Sequence, residues 1–171
     1  ERIDPRSGKT TGQWAWPDNT IDDTMSHSYR FYITGGYVHG TPVLVTAQGT
    51  YRKMYLQSHD TELNKRWDIV IEEDGSARAS HLCPVLDFND DGVDELFWGE
   101  RLISLKDGHQ LFCGDEGLYR GHSDIVLPFV DPQTHKKYIY TCREDCEQEG
   151  QPRVITYDEN GRRVWTAVDS I

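Results

Sequence analysis

The sequence predicts an all-β fold, a β-propeller of which about three four-stranded blades are present in this chain. Two observations carry that expectation. Between Tyr29 and Trp165, short runs of β-branched and aromatic residues give way to turn residues every five to eight positions, and no helical period is sustained. Within this span a succession of strand, strand, polar turn and aromatic strand occurs three times, with a period in the range that marks propeller blades.

Residues 1–28, with Trp14, Trp16, Pro17 and few apolar runs, read as a loop-rich lead-in or the end of a preceding blade. The partial propeller is expected over 29–171, with blades at about 29–71, 82–113 and 123–166. Leu44 to Gly49, Glu95 to Glu100 and Tyr138 to Glu144 each read as an inner strand. Each is followed by a second strand, at Tyr51 to Leu56, Leu102 to Leu105 and Arg153 to Tyr157. The turns TELNK, KDGHQ and ENGRR come next, followed by strands bearing Trp67, Phe112 and Trp165, which are 45 and 53 residues apart. Asp107-Gly108 and Asn160-Gly161 are strong hairpin signals because such turns need positive φ, which glycine adopts freely. Propellers close with about four to eight blades, so the remaining blades are expected from further sequence or from other chains. Glu1 to Arg6 shows neither an initiator Met nor an apolar signal core, as expected of a processed product or a piece of a longer protein.

Composition narrows the function classes. Five Trp, nine Tyr and five Phe spread along 171 residues supply the apolar groups that disordered chains lack, despite a mean hydropathy of −0.70. No stretch has the length of a membrane span. A net charge of −11 argues against nucleic acid, whose phosphates call for a basic stripe. The four cysteines, Cys83, Cys113, Cys142 and Cys146, fit either disulfides in an exported protein or thiolates around a metal.

Four constellations carry chemistry. In DFNDDGVDE, oxygen donors recur at every second position around Gly92, so Asp87, Asn89, Asp91, the Val93 carbonyl and Glu95 can wrap a hard cation, calcium above all. His39 and His59 lie twenty residues apart in the first blade, and hairpin turns between them would bring both imidazoles to one rim as acid and base. Tyr119-Arg120-Gly121-His122 leads into the third blade, and Arg120 can grip a carboxylate with two hydrogen bonds while His122 binds substrate. Cys142 and Cys146, with Cys113 from the neighbouring blade, could hold a structural zinc; disulfides such as Cys142 with Cys146 or Cys83 with Cys113 fit equally.

The segments YVHGTP, QSHD, DFNDDGVDELFWGE and YRGHSD together resemble the seven-bladed propeller polysaccharide lyases, the ulvan lyases and their rhamnosyl-glucuronate lyase relatives, over roughly Tyr29 to Trp165. The calcium loop also resembles those of FG-GAP propeller blades. The resemblance implies a secreted or periplasmic enzyme on an acidic polysaccharide, with structural calcium or zinc and no organic cofactor. It matches His39, His59 and Arg120 to the family's catalytic positions. The family's Tyr has no counterpart in GERLISL, and Tyr119 is the candidate in its place. The implied reaction is β-elimination giving a 4,5-unsaturated uronate, with Arg120 neutralising the carboxylate and His39 taking the C5 proton. A calcium-stiffened FG-GAP propeller that binds glycan or protein without chemistry is the alternative function.

Overall fold

The computed structural model describes residues 1–16, 30–50, 53–72, 79–114, 123–143 and 154–167. All regular structure among them is β, and none of it is a helix long and apolar enough to cross a membrane. A short hairpin comes first, β1 (Arg2–Ile3) and β2 (Thr10–Gly12). Three four-stranded antiparallel sheets follow. The first contains β3 (Phe31–Val38), β4 (Thr41–Gln48), β5 (Lys53–His59) and β6 (Lys65–Glu72). β7 (Val85–Leu86), β8 (Glu95–Trp98), β9 (Arg101–Ser104) and β10 (Gln110–Cys113) form the second. The third contains β11 (Ser123–Val130), β12 (Lys137–Arg143), β13 (Val154–Asp158) and β14 (Arg163–Ala167). In each sheet the strands lie side by side in chain order.

The stretches expected as inner strands are therefore second strands. β4, β8 and β12 each pair on one side with a preceding strand that the repeat pattern did not reveal.

Burial explains the layering. One core gathers Val45, Met54 and Leu56 of the first sheet with Leu96, Trp98 and Ile103 of the second. The other gathers Phe97 and Leu102 of the second with Val126, Ile139 and Ile155 of the third. Alternate side chains leave opposite faces of a strand, so β8 supplies Leu96 and Trp98 to one core and Phe97 to the other. This explains why Leu96-Phe97-Trp98 reads as an unbroken apolar run. Trp98 is tied in by its indole N–H to Met54 Sδ at 3.1 Å and by edge-on contact with Tyr32.

A rule links successive sheets. The turn before β6, β10 and β14 contains one residue at positive φ, respectively Leu63, Gly108 and Gly161. Four residues later stand Trp67, Phe112 and Trp165. Trp67 covers Gly108 of the next sheet and donates from Nε1 to the Leu105 carbonyl at 3.0 Å, and Phe112 covers Gly161. In the first hairpin the same spacing leads from Gly8 to Gly12, and there the sizes are reversed: Gly12 faces Leu63. A Cβ added at Gly161 would lie 2.5 Å from Phe112 Cδ2, at a φ of 73°. Gly161→Ala is accordingly expected to cost about 2 kcal/mol by left-handed strain and overpacking. Urea denaturation should show the loss, and Phe112→Leu in the same chain should recover part of it.

The two ends of the sheets differ. Val38 bridges to Val93, and the His39 amide donates to the Gly92 carbonyl at 2.7 Å, so the turn after β3 and the loop 87–94 share one end, here the lower. At the upper end the Ala79 amide donates to the Thr50 carbonyl, and Ser80 bridges to Ser123.

Candidate functional site

The lower end holds most of the candidates singled out from the sequence. His39 and Gly40 form a two-residue hairpin turn with φ of 48° and 78°, the pattern that suits a two-residue link between strands. His59 ends β5 opposite Leu44, so both imidazoles reach the lower end of one sheet. His59 does not open onto a groove. It is 3% exposed, and Trp14 of the lead-in covers it with ring centroids 5.6 Å apart. Burial holds its pKa below the usual histidine value, with Asp60 and Lys65 acting in opposite directions. The lead-in is fastened there by Arg2, which donates to the Thr61 carbonyl and faces Glu62 at 3.7 Å.

In the loop 87–94 the acidic side chains turn inward onto its own amides. Asp87 accepts from Asp91 N at 3.0 Å and Gly92 N at 2.9 Å, Asn89 Oδ1 from Asp91 N at 3.0 Å, and Asp91 from Val93 N at 2.8 Å. Asp90 and Gly92 adopt the positive φ that this tight path needs. Glu95 is fully buried; Oε2 accepts from Phe88 N at 2.8 Å, while Oε1 has no partner. Burial, with the charges of Asp91 and Asp87, raises its pKa to about 7. Among the described residues, no group of three or more His, Cys, Asp or Glu side chains is gathered for a metal as the side chains now stand. The donor chemistry of Asp87, Asn89, Asp91, the Val93 carbonyl and Glu95 still suits calcium, and the partnerless Oε1 of Glu95 is the atom a cation would satisfy. Lys137 of the third sheet secures the loop, donating to the Asp87 carbonyl at 3.0 Å and to Asp90 at 2.6 Å.

Of the cysteines, Cys113 closes β10 and Cys142 lies in β12, while Cys83 forms no disulfide. The alternative that bonded Cys83 to Cys113 is thus corrected. Cys83 packs against the first core, where burial pushes its thiol pKa up. Tyr119, Arg120, His122 and Cys146 lie outside the described residues. The residues that flank 115–122, Gly114 and Ser123, stand at the upper end, since Cys113 pairs with Arg101 and Ser123 with Arg143.

The upper end contains a constellation that sequence reasoning missed. Arg30 precedes β3, His81 precedes β7 and Asp124 is the second residue of β11. An Arg30 Nη1 to His81 Nε2 hydrogen bond joins the first two, and His81 Nδ1 lies 3.7 Å from Asp124 Oδ1. Guanidinium can only donate, so Nε2 is the acceptor and the ring proton resides on Nδ1, toward Asp124. The side chains of His81 and Asp124 are 38% and 40% exposed, which leaves the group open to a solute. The serine bridge aligns it, because His81 and Asp124 each follow one of the bridged residues, and Ser80 Oγ donates to the Asp124 carbonyl at 3.3 Å. Beneath it lies a buried tie in which Glu100 accepts from Ser123 Oγ and from Arg143 Nε at 3.2 Å. Arg143 Nη2 also donates to Tyr157 Oη at 3.2 Å. A fixed cation, a neutral imidazole and a carboxylate in one open site can bind an anion and move a proton.

Comparison with known proteins adds the following. The family model described as rhamnogalacturonan lyase family 11, C-terminal domain, matches residues 10–170. The solved structure of the exotype rhamnogalacturonan lyase YesX superposes with a TM-score of 0.77 at 24% identity, over 96% of this chain and 29% of that one. Rhamnogalacturonan lyase YesW gives a TM-score of 0.68 at 22% identity, over 82% of this chain and 24% of that one. The Bacillus licheniformis rhamnogalacturonan lyase PL11 gives 0.68 and 22%, over 82% and 25%. These likenesses establish a shared fold, and the chain spans less than a third of the length of each of these three proteins. No curated protein matches it.

Proposed function

Because the chain belongs to the C-terminal domain family of rhamnogalacturonan lyase family 11, we propose that it is part of a polysaccharide lyase that cleaves a uronate-containing polymer by β-elimination. The family is that of the rhamnogalacturonan lyases, in place of the ulvan lyases that the sequence resemblance suggested. The observation that carries the proposal is the meeting of Arg30, His81 and Asp124 from three separate segments at the upper end.

The C5 proton of a uronate is weakly acidic while its carboxylate keeps full charge. Arg30 is placed to meet that charge, and His81 to take the proton. Asp124 then stabilises the imidazolium. The electrons of the C5–H bond form the C4–C5 double bond, the C4–O4 bond breaks, and the leaving O4 regains the proton carried by His81. This reading puts the base at His81, at the end of the sheets away from His39 and His59.

The three meander sheets, joined by one repeated packing rule, support reading them as consecutive propeller blades that the rest of a longer polypeptide completes. Trp165, 54% exposed, and the apolar face around Phe129 and Val164 await the next blade. Calcium in the loop 87–95 is the cation that its oxygen donors favour. A polymeric substrate cannot cross a membrane intact, which supports a secreted or periplasmic site of action.

In the longer protein, incubation with rhamnogalacturonan is expected to release oligosaccharides with the ultraviolet absorbance of a 4,5-unsaturated uronate. His81→Ala should abolish the signal and leave the circular dichroism spectrum intact. Persistent product formation by that variant would move the chemistry elsewhere, and absence of unsaturated product from the unaltered protein would end the lyase reading.

A further inference from the structure

We propose that Arg30 is a substrate-operated cap on His81: in the free protein it occupies the Nε2 lone pair, and a uronate carboxylate draws it away and exposes the base. The inference rests on the lyase reading above and deepens it by giving one side chain two successive partners.

The argument begins with donors and acceptors. Nε2 is the only basic atom of an imidazole whose proton sits on Nδ1, and here Arg30 donates to it. A base whose lone pair is already engaged cannot accept a proton from carbon. The guanidinium also opposes protonation of the ring, because two cations in contact are unfavourable. Asp124, 3.7 Å from Nδ1, acts in the reverse sense and favours the charged ring. Among the described residues, Arg30 from the segment before β3 and Asp124 from β11 are thus the charged groups set against His81.

A carboxylate changes this balance. It offers guanidinium two parallel charge-assisted hydrogen bonds, which are stronger than one to a neutral ring nitrogen. Arg30 therefore exchanges His81 for the substrate. The same exchange delivers the carboxylate beside the imidazole, frees Nε2 and lets Asp124 raise its basicity. A neutral sugar lacks the group that performs the exchange, so the cap also selects for uronates. Arg30 would be a catalytic residue once it holds the carboxylate, and a restraint on His81 before then.

The test follows the protonation of the His81 ring by nuclear magnetic resonance on the intact chain, with D-galacturonate as the probe and D-galactose as the neutral control. Saturating galacturonate is expected to raise the pH midpoint of His81 by about one unit, and galactose to leave it in place. Arg30→Met should raise the midpoint without any sugar and remove the response to galacturonate, whereas Arg30→Lys should keep a weakened response. Near-ultraviolet circular dichroism of both variants checks that the fold survives. Equal midpoints in Arg30→Met and the unaltered chain, or no shift with galacturonate, would overturn the cap. The lyase reading fails separately: a midpoint that responds in a protein yielding no unsaturated product would leave a carboxylate-binding switch without elimination chemistry.

Discussion

Glu100→Ala is expected to destabilise the chain by about 3–5 kcal/mol, the cost of leaving a buried charge without its partner. Glu100 and Arg143 have 0% and 1% of their side chains exposed, and Nε and Oε1 lie 3.2 Å apart. Removal of the carboxylate takes from the buried guanidinium the acceptor at Nε and from Ser123 Oγ its acceptor. Replacing both partners is a different experiment. Glu100→Leu with Arg143→Met removes both charges from the interior, and the double variant should be far more stable than the summed losses of Glu100→Leu alone and Arg143→Met alone predict. Chemical denaturation of the four proteins measures the coupling. Additive losses would show that the pair does not act as a unit. The site above depends on the outcome, since Ser123 hydrogen-bonds to Glu100 and precedes Asp124, so loosening the tie should disturb the carboxylate that faces His81.

Repetition made part of this fold legible. The second, third and fourth strands of each sheet stand out because they are apolar runs separated by turns with fixed chemistry, and Gly108 and Gly161 take the positive φ that their dipeptides announce. The first strands escaped notice for local reasons. β7 is only two residues between Pro84 and the acidic loop, β11 contains Pro128, and β3 contains Gly35-Gly36. Proline and glycine normally argue against a strand, yet β3, β7 and β11 occupy the edges of their sheets, where such residues are tolerated. Gly36 has a positive reason to be there: a Cβ would come within 2.5 Å of Asp94 Oδ2 and 2.7 Å of Val85, so the first and second sheets could not approach as they do.

The candidate site was less legible than the fold because the same unrecognised strands deliver it. Arg30, His81 and Asp124 are far apart in the chain, and they meet only because β3, β7 and β11 begin at the same end. No spacing rule connects them. Register within one blade is readable from the sequence, and it places His39 and His59 at one end of the first sheet. What the pattern could not convey was the cover: Trp14 belongs to a lead-in hairpin that packs onto the β5–β6 turn through Gly12 and Leu63.

The loop 87–95 yields the second large effect, and its sign is set by Glu95. Its carboxyl pKa, about 7 in the folded chain, exceeds the ordinary value of 4.5. The folded state therefore binds more protons than the unfolded state between those values. In a chelator, the contribution of this group is fully present below about pH 4.5 and is lost as pH rises through 7, a difference of about 3 kcal/mol. A divalent cation at the same oxygens favours the ionised carboxylate and opposes that loss. Calcium at about a hundred times its dissociation constant should add roughly 3 kcal/mol at pH 7, and far less at pH 5, where the proton competes. Glu95→Gln removes both the titration and one ligand oxygen, so its stability should be flatter across this window and respond weakly to calcium. Thermal unfolding at pH 5 and pH 7, with chelator or calcium, separates the possibilities. If the unaltered chain and Glu95→Gln behave alike in all four conditions, the buried carboxylate is a structural acid bound to the Phe88 amide, with no part in holding a cation.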